Sequence, residues 1–230
     1  MEEKKSTKKT INIIVSVVAV IIIIAGGILL VNDRKQREII GAEMESINTS
    51  GEVNQEIKSK GKYADVEKAL KDYITEYQGI AKDIANDYQN EKFTTILSAD
   101  NYKNDGPNFE ESKKLINDVK AKGEETKTKL AEMVTEDYKE KRATKCGLTG
   151  KYKDLFKDSI KLESELTEVD KTIDSVNNYL DKVDEVFNFL KENEGKWSIR
   201  NDKVEFKEIS LITKYNSLVT SVNIAANSLK

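Results

Sequence analysis

Between Leu155 and Leu190, eleven positions fall alternately four and three residues apart: Leu155, Ser159, Leu162, Leu166, Val169, Ile173, Val176, Leu180, Val183, Phe187 and Leu190. Ten of the eleven are apolar. A repeat of this period lines one side of a helix, and that side must be covered by other helices. The pattern predicts a single long helix over 154–194 and a fold assembled by laying further helical stripes against it. The same stretch carries twelve acidic and five basic residues, so its remaining circumference reads as a solvated face.

Three other stripes are available. Tyr63, Val66, Leu70, Tyr73, Tyr77, Ile80 and Ile84 mark a helical run over 52–98, and its tyrosines read as core or bundle edge, with a ligand-binding face as the alternative. Ile116, Val119, Leu130, Met133 and Val134 mark a second run over 108–143, thinly apolar through 121–127. Ile212, Tyr215, Val219, Val222, Ala226 and Leu229 mark the last. Breakers separate the runs: Asn48 to Gly51, Gly106-Pro107, then Gly147 and Gly150. Pro107 is the only proline in 230 residues, which leaves long stretches free to stay helical. Long amphipathic helices joined by short breakers fold back antiparallel. The seam needs two partner stripes and the chain supplies three, so self-association is allowed but not required.

The period changes at 195–206. Trp197, Ile199, Val204 and Phe206 alternate across Asn201-Asp202, as in a short β-hairpin with one apolar face. The turn lacks the favoured Gly. A two-stranded hairpin is unstable unless packed, so Trp197 and Phe206 are expected to close one end of the bundle. The functional alternative is an aromatic patch, Trp197, Ile199 and Phe206, that contacts a protein partner.

Ile11 to Val31 is a run of 21 residues without a charge. A helix of that length spans about 30 Å, the thickness of a bilayer core. Lys8 and Lys9 precede it; Arg34, Lys35 and Arg37 follow. A cleaved secretory signal is the rival reading, with Ala25-Gly26-Gly27 as the cleavage site. Ile28 to Val31 continue the apolar run past that site, which favours an uncleaved anchor. The basic tail before the span favours a cytoplasmic N-terminus and an extracytoplasmic bundle.

Several chemistries lack their residues. There is no His, which removes the commonest general base and zinc ligand. Cys146 is the single cysteine, without an intrachain disulfide partner, and reads as a small packed residue. Around Gly106, a calcium loop would need oxygen ligands at Lys103 and a Glu at Ser112, so that match fails. Asn48-Thr49-Ser50 fits a glycosylation acceptor only as a chance tripeptide. The net charge is −3; residues 1–31 carry four Lys and two Glu (+2), leaving −5 on the rest. A mildly acidic domain does not suit a phosphate backbone, and nucleic acid is not an expected partner.

The expected fold class is all-α. A single N-terminal transmembrane helix (11–31) follows a short basic tail (1–10). A juxtamembrane stalk (32–51) then leads to an elongated antiparallel bundle of three to four long helices (52–230), with the hairpin before the last. The expected function is a non-catalytic structural or protein-interaction role in the cell envelope, with membrane lipid and a protein partner but no cofactor, metal or catalytic residues. The alternative is an extracytoplasmic ligand-sensing head. With ten residues before the span, such a head would signal through a separate protein.

Overall fold

The computed structural model describes residues 34–89 and 91–229. The anticipated span at 11–31 lies outside them; among the described residues no helix is long and apolar enough to cross a membrane. The chain is a mostly helical bundle with a two-stranded antiparallel sheet before the last helix. The elements are α1 (Arg34–Ser50), α2 (Lys62–Tyr88), α3 (Glu91–Thr95), α4 (Ala99–Asp105), α5 (Glu110–Met133), α6 (Glu136–Lys145), α7 (Lys151–Ser159), α8 (Glu163–Glu192), β1 (Trp197–Arg200), β2 (Lys203–Phe206) and α9 (Ile209–Asn227).

The expected stripes supply the core, but the helices are cut more often than their spacing implies. Residues 52–61 form a non-helical strap between Gly51 and Gly61, both at positive φ. Only Val53 and Ile57 are apolar there, so a helix would have had no face to bury. The second run breaks at Thr135, whose side chain accepts from the Tyr138 amide and starts α6. The long third run breaks at 160–162. Ile160 and Leu162 are both buried, an alternation that suits extended backbone, and the buried Lys139 ammonium donates to the Ile160 carbonyl at 3.2 Å.

The fold divides into two compact units. Within the described residues, the first comprises 84–125 and 171–229, the second 34–83 and 126–170. In the second unit α1, set apart in the sequence reading as a stalk, buries Ile40, Glu43, Met44 and Ile47. Tyr73 is fully buried there, donates its hydroxyl to the Met133 carbonyl at 2.9 Å and meets Phe156 edge-on.

In the first unit the thinly apolar middle of α5 has a purpose. A Cβ at Gly123 would sit 3.0 Å from both the Ile173 side chain and the Tyr88 hydroxyl, closer than ordinary van der Waals contact. Burial also pushes the pKa of the Tyr88 hydroxyl up, and it pushes that of Tyr179 up to about 12. Gly123→Ala gains about 1 kcal/mol of helix propensity but loses about 1–3 kcal/mol to overpacking. The expected net is a loss of about 1 kcal/mol, recovered by adding Tyr88→Phe. Urea midpoints of the two variants check this; a single variant more stable than the parent would contradict the packing.

Candidate functional site

The hairpin forms where the alternation places it. Trp197 pairs with Phe206 and Ile199 with Val204, so all four side chains share one face. The missing turn glycine is replaced by Asn201 and Asp202, both in the left-handed region with φ of 50° and 57°. Asn and Asp tolerate that region, and it gives the primed turn that matches strand twist. Lys103 of α4 pairs with Asp202 at 3.2 Å and holds the turn.

Trp197, Ile199 and Phe206 are brought together, half-buried, and packed with Val204 against the core of the first unit. The Trp197 indole donates at 2.8 Å to the Leu190 carbonyl, near the C-terminus of α8, which also accepts from the Asn193 amide at 3.3 Å. Its ring lies nearly parallel to Phe109, and Phe109 stacks on Phe187 at 4.6 Å. Phe206 packs between Phe189 and Tyr215. The three candidate contact residues thus already have partners within the chain.

Phe109 holds a φ of 56°, which costs a bulky residue about 1–3 kcal/mol. It persists because its side chain is fully buried and the chain on both sides is fixed. Asp105 accepts from the Glu111 and Ser112 amides at 3.1 and 2.7 Å, which anchors the start of α5. Burial pushes the Asp105 carboxyl up, but hydrogen bonds from the Ser112 side chain and from the Ser112 and Glu111 amides outweigh it and hold it below its usual value. At Gly106 a Cβ would drive into the Tyr102 carbonyl oxygen, so the backbone there needs glycine for room.

A buried cluster of ionisable side chains lies in the second unit and was not singled out from the sequence. Lys71 is fully buried, and its ammonium contacts Glu67 at 2.8 Å, Glu43 at 2.9 Å and the Glu56 carbonyl at 2.6 Å. Glu67 also accepts from the Lys58 and Ser59 amides, and Glu43 pairs with the Lys58 ammonium. Three donors on one ammonium therefore meet three acceptors. The arrangement pins the strap to α1 and α2. With both carboxylates bound and Lys71 out of solvent, it presents no acid or base to a substrate.

Burial pushes the Glu43 and Glu67 carboxyls up, but hydrogen bonds from Lys58, Lys71 and the strap amides outweigh it and leave both below their ordinary value. A carboxylate with a lowered folded pKa contributes stability above its unfolded pKa and loses it as pH falls through the folded one. The second unit is therefore expected to weaken below about pH 4.5, the ordinary carboxylate value. Amide exchange across 58–74 against pH checks this. Glu67→Gln should be less protected at pH 7 and lose less on acidification; an unchanged acid limb would contradict the assignment.

Among the described residues no group of His, Cys, Asp and Glu is placed to hold a metal ion. What the geometry defines is two helical units, the first with an aromatic hairpin packed on its core, the second with a buried ion network fastening its strap. Comparison of the chain with protein-family models, curated proteins and solved structures gives no match.

Proposed function

We propose that this is a membrane-anchored helical-bundle protein of the cell envelope, with a non-catalytic structural or protein-interaction role. The observation that carries the reading is the uncharged run Ile11 to Val31, joined to a chain that buries its own apolar stripes. Such a run suits a bilayer core. A chain that covers its own apolar stripes has no need of a second chain in order to fold.

In this reading the span is retained, the N-terminus is cytoplasmic and the bundle is extracytoplasmic. The helical bundle serves to hold, space or dock other envelope components. The packing of α1 on the second unit supports a direct mechanical link, because α1 begins three residues after the run ends. Protease treatment of intact cells tests the orientation. The bundle should be lost without lysis, and its survival until the membrane is opened would place it on the other side.

A further inference from the structure

Among the described residues, the large apolar side chains left exposed are Ile209, Ile212 and Ile224, all on α9. They are 82%, 40% and 66% exposed. Of the stripe expected to face inward there, Val222, Ala226 and Leu229 are buried and Tyr215 and Val219 half-buried, while Ile212 is exposed; Leu218 and Ala225 are buried as well, and Leu211 half-buried. The outer surface opposite Leu218 runs along the ridge Ile212, Asn216, Thr220 and Ile224, each four residues apart. All four are exposed and none is charged. Lys214 is the only charged residue in the 19 of α9, in a chain that is 34% charged.

We infer that this ridge is a contact surface for a second copy of the same chain. Two considerations select that occupant. The first is charge: the chain is acidic overall, and an uncharged face lets two copies meet without like-charge repulsion. The second is register. If two α9 helices pair antiparallel about Leu218, Ile212 of one copy faces Ile224 of the other. Asn216 then faces Thr220, and these two can hydrogen-bond across the pair. Apolar meets apolar and polar meets polar twice over, which is what an isologous contact demands.

The area sets the strength. A helix of 19 residues is about 28 Å long, and one face of it covers roughly 300 Å². Stable dimers bury roughly 800 Å² per partner. The contact is therefore weak in dilute solution and gains from confinement on one membrane, where the effective concentration is high. To that extent it rests on the membrane-anchored reading above.

The test uses full-length chains carrying Cys146→Ser, reconstituted in phosphatidylcholine vesicles. Chains with Asn216→Cys are mixed with mass-tagged chains carrying Thr220→Cys and treated with a short bismaleimide. The mixed 216–220 product is expected to exceed both like-with-like products. Adding Ile224→Glu to both chains should cut it about ten-fold. Crosslinking no greater than that of a Lys191→Cys control, on the exposed side of α8, overturns the inference and leaves the face to a different protein. Flotation of the vesicles reads the anchor separately. If the chain does not float, the anchor reading has failed, and the crosslink is then scored on concentrated chain in buffer, where its absence still overturns the inference.

Discussion

Replacing Lys71 by methionine is expected to destabilise the second unit by about 3–5 kcal/mol, the cost of breaking a buried ion pair from one side. The substitution keeps most of the side-chain volume and removes only the charge and its donors. Glu43 and Glu67 then stay out of solvent without their shared cation, and the Glu56 carbonyl loses its donor. Lys68→Met is the control three positions earlier. Lys68 pairs with Asp72 at 2.8 Å but is largely exposed, and its loss should stay within about 0.5 kcal/mol. Replacing Glu43, Glu67 and Lys71 together by apolar residues of similar size should recover much of the loss, because no charge is then stranded. Amide exchange at 66–74 reads this unit. A Lys71→Met chain with the parent's protection there would show that the network contributes little.

Phe187→Ala is expected to cost the first unit about 3–5 kcal/mol, the usual range for emptying a buried phenylalanine site. Phe187 is fully buried, stacks on Phe109 and meets Tyr102 edge-on at 6.3 Å. Its removal takes away the support that holds Phe109 at positive φ and, through Phe109, the surface on which Trp197 rests. The effect should appear in Trp197 fluorescence, since that residue is the only tryptophan and lies in this unit. Phe187→Leu keeps most of the volume and should cost no more than about 1.5 kcal/mol. Ile209→Ala, at the most exposed apolar position of α9, should leave the midpoint within about 0.5 kcal/mol of the parent. Equal losses from Phe187→Ala and Ile209→Ala would contradict the assigned core.

The stripes through α2, α5 and α8 were legible because burial, which decides the fold, is written directly in apolar spacing. Of the eleven seam positions, Val183, Phe187 and Leu190 are fully buried. The cut at 160–162 was hidden because Ile160 and Leu162 are both apolar, and spacing alone does not separate a helical face from an extended pair. The start of α6 did carry a signal, since Thr135 is followed by Glu136 and Asp137, a first turn suited to a helix N-terminus. In α9 two seams one residue apart are almost equally apolar. Packing of Tyr215 against Phe206 accompanies the inward turn of Leu211 and Leu218 and leaves Ile212 outside. The hairpin was legible from alternation alone.

The ion network was not legible. Glu67 and Lys71 are four apart and read as an ordinary exposed pair. Their burial depends on Glu43, which is 28 residues before Lys71, and on a strap that spacing assigned to helix. The patch Trp197, Ile199 and Phe206 was found as a group because alternation places those residues on one face. What that face meets is set by Phe109 and Phe189, and nothing in the local sequence of the hairpin names them.

The most direct measurement is the fate of the chain in its own cell: alkaline extraction of membranes, with N-terminal sequencing of the mature polypeptide. The expected result is a chain that stays with the membrane after extraction and keeps Ile11 to Val31. A mature chain recovered free in the medium, starting at Ile28 or later, would contradict it.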